Sequence, residues 1–140
     1  MSATHHNDPE VIRQLLSTPA RWAVVGLTNN PRRVAPSIAW FLKNDLGMEI
    51  LPVSLTGEAV FEQPGYHRLA AIPGTIDVVD CFVNSQKVGD IIDQAIEVGA
   101  RAIWMQLGVI DHEAARRATL AGLDVVMDTC PKIEYSKLVL

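Results

Sequence analysis

At 140 residues, with 49% hydrophobic and 20% charged side chains, the chain has the size and balance of one globular domain. A net charge of −4 and the lack of any long basic run argue against a duplex nucleic acid as partner. Two cysteines are too few for a disulfide framework, and no apolar run approaches the roughly 20 residues that span a bilayer, so a reducing, cytoplasmic setting without membrane contact is expected.

The start, MSATHHNDPE, lacks the basic-then-apolar pattern of a signal peptide, and residues 1–7 read as a flexible polar tail ahead of a single domain over 8–140. DPEVIRQLLSTP reads as a first helix, with Asp8 as cap, Pro9 at the first helical position and Pro19 just beyond the end. WAVVGL (22–27) is a fully apolar strand. PSIAWFLKNDLG (36–47) is a helix stopped by Gly47, with Ile38, Phe41, Leu42 and Leu46 on one face. MEILPVS (48–54) is the second strand, and TIDVVDCFVN (75–84) holds the third. Between them, residues 55–74 carry too little helical periodicity for a crossover helix, and a loop with a short helix or turn centred on Pro64-Gly65 is expected. SQKVGDIIDQAIEVG (85–99) is a helix with Ser85 as cap and Gly99 as stop; RAIWMQL (101–107) is the fourth strand. DHEAARRATLAG (111–122) is a helix capped by Asp111, and LDVVMD (123–128) is the fifth strand. The final KLVL is a candidate for packing onto a second subunit.

Strands apolar on both faces, alternating with amphipathic helices, predict a parallel sheet covered on each side. Right-handed crossovers then make a Rossmann-like, doubly wound, five-stranded α/β sheet the economical arrangement. In such a sheet, ligands lie beyond the carboxyl ends of the strands, where strand order reverses.

The first of these ends is GLTNNPRR. Gly26 permits a sharp turn, Thr28, Asn29 and Asn30 offer donors, and a helix start behind them favours an anion. Arg32 and Arg33 add guanidinium groups that match phosphate oxygens. The alternative is a surface turn with solvated arginines. At the second end, Val53-Ser54-Leu55 supplies no acid for a ribose hydroxyl, and the three-glycine dinucleotide signature is missing, so an NAD(P)-binding sensor or dehydrogenase fragment is the weaker expectation. At the fifth end, Cys130 precedes Pro131 and is either a crevice thiol or a small packed side chain.

No catalytic constellation can be assembled, and no metal site is indicated. His5 and His6 fall in the tail, His67 in a loop and His112 in a first helical turn. Asp77 and Asp80, like Asp124 and Asp128, read as strand-boundary residues, and the three tryptophans as core or interface.

Taken together, AVVGLTNNPRR, ILPVS, VDCFVNS, ARAIWMQLGVID and AGLDVVMDTCPKIEY resemble the small stand-alone CoA-binding proteins, over roughly residues 9–136. These are similar to the N-terminal domain of the succinyl-CoA synthetase alpha subunit and of ADP-forming acyl-CoA synthetases. The resemblance implies that the CoA phosphates lie on Gly26, Leu27, Thr28, Asn29, Asn30 and Arg33. It places Val53-Ser54 beside the nucleotide portion. It has Val83-Asn84-Ser85, with Val88 behind, and Gln106-Leu107-Gly108 flank adenine and pantetheine, and it likens Thr129-Cys130-Pro131 to the NCP of the synthetases. Relatives often carry a lysine where this chain has Leu55, which shifts the phosphate charge to Arg32, Arg33 or Lys87. The implied ligand is coenzyme A or an acyl-CoA, held without catalysis, because the chain has no room for the phosphohistidine and nucleotide-grasping parts of the synthetases. Two further expectations are a thiol-redox carrier forming a CoA mixed disulfide at Cys130, and a homodimer or a module docked onto a separate synthetase subunit.

Overall fold

The computed structural model describes residues 4–139. Five parallel strands, β1 (Arg21–Val25), β2 (Glu49–Val53), β3 (Val78–Cys81), β4 (Ala102–Met105) and β5 (Asp124–Val126), form one sheet in the order β2-β1-β3-β4-β5. The register runs straight across its centre: Val24 lies between Pro52 and Asp80, and Asp80 between Val24 and Trp104. Five helices cover the sheet: α1 (Pro9–Ser17), α2 (Ala35–Asn44), α3 (Val88–Val98), α4 (His112–Leu120) and α5 (Pro131–Leu138). The doubly wound Rossmann-like sheet is thus the fold.

Alternation along each strand sorts the core into two layers. Ala23, Val25, Val79, Cys81, Ile103 and Met105 pack against Val88, Ile92 and Ala95 of α3 and Ala114, Ala115 and Ala118 of α4. The opposite face presents Trp22, Val24, Ile50, Val78 and Trp104 to α1, to Ile38, Ala39 and Leu42 of α2, and to Tyr135 of α5. Four alanines (Ala95, Ala114, Ala115 and Ala118), all buried, let α3 and α4 lie close to the sheet, whereas two indoles, 5.8 Å apart at their ring centres, fill the other layer.

Local chemistry explains most element ends. Asp8 accepts from the Glu10 N–H and Asp111 from the Ala114 N–H, so α1 and α4 start at capping acids, as the sequence suggests. Ser85 does not cap α3. That helix begins at Val88, and the Ser85 hydroxyl instead accepts from the Ile110 N–H and donates to the Gly108 carbonyl, tying the loop after β3 to the loop after β4. The C-terminal helix α5 is absent from the sequence reading, because only Pro131 of its residues is fully buried and its apolar side chains follow no helical stripe. It packs between α1 and α2, with Tyr135 edge-on to Phe41, so the KLVL segment expected as a candidate for packing onto a second subunit is, up to Val139, the end of a helix docked on its own chain; Leu140 lies outside the described residues.

Both edges of the sheet are closed by single residues. At β2, Tyr66 donates to the Pro52 carbonyl and accepts from the Ser54 N–H, and the missing N–H of Pro52 is harmless on an edge strand. At β5, the Asn7 amide donates to the Met127 carbonyl at 2.9 Å and accepts from the Met127 N–H at 2.8 Å. The expected tail is therefore pinned at its end: Asn7 is clipped to Met127 and the His5 N–H donates to His112 Nδ1, while residues 1–3 lie outside the described residues. None of the described helices is long and apolar enough to cross a membrane.

Candidate functional site

Strand order reverses between β1 and β3, because the chain passes from β1 to β2 on one side and then returns to place β3 on the other. Gly26 is the hub of this switch point. Its φ of +93° lies in the left-handed region, and a Cβ there would collide with the Phe82 carbonyl oxygen. Its N–H donates to the Val53 carbonyl at 2.7 Å, and the Phe82 N–H donates to the Val25 carbonyl at 2.8 Å. The tips of β1, β2 and β3 thus meet at one residue without a side chain.

Beyond Gly26, the loop turns on itself. Thr28 Oγ1 accepts from the Asn30 N–H, and Asn30 accepts from the N–H of Arg32 through its side chain and of Arg33 through its carbonyl. The Asn29 N–H and side-chain amide both donate to Glu58 Oε2, at 3.0 and 2.6 Å. The backbone N–H groups of Asn29 and Asn30, expected as donors to an anion, are therefore engaged within the protein, as are those of Gly26, Arg32 and Arg33, because a self-bonded turn satisfies its own amides.

What the loop does present is charge and a helix end. Arg32 and Arg33 are exposed, and among the described residues neither forms an ion pair. Val34 stands at the N-cap of α2 and Lys87 at the N-cap of α3, neither with a side-chain capping bond. These are the two helices that flank the switch point, on opposite faces of the sheet, and each points the positive end of its dipole at the strand tips. A lysine at a helix N-terminus is electrostatically misplaced unless an anion joins it.

The residues named from the sequence divide by orientation. Thr28, Asn29, Asn30, Arg32 and Arg33 on the loop after β1, and Asn84 and Ser85 on the loop after β3, have polar groups at or near the surface. Asn84 Oδ1 accepts from the Lys87 N–H, shaping the start of α3. Leu27, Val53 and Val88 turn their side chains into the core, leaving only their backbone beside the mouth. Ser54 is buried, with its hydroxyl accepting from the Gly57 N–H. Gln106 is buried and donates to Asp80, so its amide is turned down into the sheet. Gly108 donates its N–H to Asp128 at 2.7 Å, fixing the β4 and β5 tips to each other. Cys130 is packed in the apolar layer beside α2, as a small core side chain.

Three acids make contacts that the sequence does not advertise. Glu58 reaches the first loop from the β2–β3 connection, and no periodicity advertises such a contact. Asp128 clasps Gly108. Asp80 is not a boundary residue: it sits in the middle of β3 with no exposure, and burial raises its carboxyl to about 8 against a smaller opposing effect of Gln106. An acid inside the apolar run VVDCFV was the signal. Among the described residues its Oδ2 has no partner, and neither has the Trp22 indole N–H on the same sheet face.

Two cavities, of about 220 and 250 Å³, open elsewhere, beside β5, and both are lined by His5, His6 and His112. Two strands, β3 and β4, separate them from Gly26, and the helix that starts there, α4, is already capped by Asp111. The described residues contain no group of three or more His, Cys, Asp or Glu side chains arranged to hold a metal.

This geometry has counterparts. The chain is 30% identical to the uncharacterised protein YneT of Bacillus subtilis (strain 168) over 125 residues, 89% of this chain and 92% of YneT. A hypothetical protein from Pyrococcus horikoshii OT3 superposes with a TM-score of 0.88 at 31% identity, covering 100% of both chains. The dinucleotide-forming acetyl-coenzyme A synthetase 1 of Ca. Korarchaeum cryptofilum shares the fold, with a TM-score of 0.70 at 24% identity; the match covers 81% of this chain and 27% of the synthetase. Residues 20–136, which hold all five strands and the switch point, match the family described as the CoA binding domain, and the chain belongs to that family.

Proposed function

We propose that the protein binds coenzyme A or an acyl-CoA across the mouth between β1 and β3, and that it does so as a carrier without chemistry of its own. One observation carries this reading. Of the three helices without side-chain caps, α2, α3 and α5, the first two flank the switch point, with Arg32, Arg33 and Lys87 at their starts. A pyrophosphate is the anion that two converging helix ends and three cations suit. Membership of the CoA binding domain family supports the same ligand. A nicotinamide dinucleotide fits less well. The β2 tip offers Ser54, whose hydroxyl is already bonded within the protein, and Leu55, which is 94% exposed, where a ribose would need a carboxylate. The phosphate contacts fall on Arg32, Arg33 and the start of α2 rather than on the Asn29 amide. Val83, Asn84 and Ser85 border the nucleotide, and the backbone of Gln106, Leu107 and Gly108 borders the pantetheine arm.

Isothermal titration with CoA and with NADH tests the reading. Saturable CoA binding that weakens with added salt, and that Arg33→Ala reduces by about tenfold, is the expected result. No heat and no thermal shift at millimolar CoA, or preference for NADH, overturns it.

A further inference from the structure

The β2–β3 connection carries an ionised carboxylate straight onto the first loop. Glu58 Oε2 accepts from both the backbone and the side-chain amide of Asn29, while Oε1 accepts from the Thr56 hydroxyl at 2.6 Å. The Asn29 amide makes a second bond, to the Ala59 carbonyl at 2.8 Å. Thr56 in turn lies 3.2 Å from the Ser54 hydroxyl, so the chain of contacts runs from the end of β2 to the loop after β1. Gly65 lies against the backbone that bears Glu58, and a Cβ there would strike the Glu58 carbonyl. The connection is thus folded tightly enough to aim one carboxylate at one asparagine.

We infer that Glu58 is a positioning residue for the proposed phosphate loop, holding Asn29 and the turn that follows it in the shape that presents Arg32, Arg33 and the start of α2 to the ligand. The inference rests on the CoA-binding reading and assigns Asn29 a role through Glu58 in place of direct ligand contact. The alternative for a carboxylate on a loop amide is an internal competitor that a phosphate must displace. The geometry favours a latch. Glu58 is tied at both oxygens and Asn29 at two acceptors, so displacement would break several bonds at once and leave Asn29 to be satisfied anew. The hydrogen bonds from Thr56 and then Asn29 also hold the Glu58 carboxyl below its usual range, as expected of an acceptor engaged in its charged form.

Two substitutions separate these roles. Glu58→Gln keeps an oxygen for Asn29 and an amide for Thr56 while removing the charge; Glu58→Ala removes the latch. CoA affinity by titration, and hydrogen exchange at the Asn29 backbone amide without ligand, are measured for each. A latch predicts that Gln stays within about threefold of the parent protein, whereas Ala weakens CoA by about tenfold and speeds Asn29 exchange at least as much. Thr56→Val, which removes one bond of the set, is expected to fall between them and stands in if the alanine variant fails to fold. Tighter CoA binding in both Glu58 variants makes the carboxylate a competitor and overturns the inference, as does unchanged affinity and exchange in Glu58→Ala. If the parent protein binds no CoA, the functional reading fails by itself, and the exchange rates still decide whether Glu58 holds the loop.

Discussion

Asp80 shows what one residue imposes on a fold. Its carboxyl is buried at the centre of β3 beside Val24 and Trp104, with Gln106 as hydrogen-bond donor to Oδ1 and, among the described residues, nothing at Oδ2. Burial favours the neutral acid and raises its ionisation to about 8, while the unfolded chain gives up the same proton near 4. Folding therefore takes up a proton across that interval, and stability falls as pH rises from about 4 to about 8, by on the order of a few kcal/mol. Asp80→Asn keeps the shape and an oxygen for Gln106. It is expected to abolish that fall, so that urea midpoints of parent and variant are close at pH 4 and separate in favour of Asn at pH 8; parallel pH profiles would show Asp80 ionised in the folded protein. The neighbouring Cys81 thiol is pushed well above its ordinary range, by burial first and by Asp80 second, which keeps it protonated and unreactive.

At the scale of an element, the least comfortable piece is the turn between Val60 and Gln63. These two residues bridge each other with paired backbone bonds of 3.1 and 3.0 Å, and the two between them, Phe61 and Glu62, have φ of 53° and 65°. Such a turn suits Asn-Gly, and a side chain in this region is strained. Phe61 has a compensation, since its ring packs edge-on against Trp40 at 5.3 Å. Glu62 is exposed and has none among the described residues. Glu62→Gly is expected to stabilise the protein by about 0.5–1 kcal/mol, a rise in Tm of roughly 2–4 °C by thermal unfolding. The same turn sets the spacing from Glu58 to Gly65, so the strain lies in the segment that aims the latch.

Across the whole molecule, the sequence makes periodic things legible and hides single contacts. Apolar strands, the Asp8 and Asp111 caps and the Gly99 stop all stand at the expected places, because each is written locally in side-chain type and spacing. The α5 helix lacks that signature, since its place is set by docking between α1 and α2 rather than by its own stripe. The site divides in the same way. Gly26, Arg32 and Arg33 follow from a strand end, whereas the Glu58–Asn29 contact spans 29 residues of chain and depends on how an irregular connection happens to fold. One such contact reaches further than its size suggests. Asn7 supplies, with one side chain, the donor and acceptor that a sixth strand would have offered to Met127. Without it, the outer rim of β5 becomes a template for another chain of the same kind. Asn7→Ala is accordingly expected to leave the chain folded yet promote further self-association with rising concentration, read by light scattering, and any change ahead of Asp8 has to respect that plug.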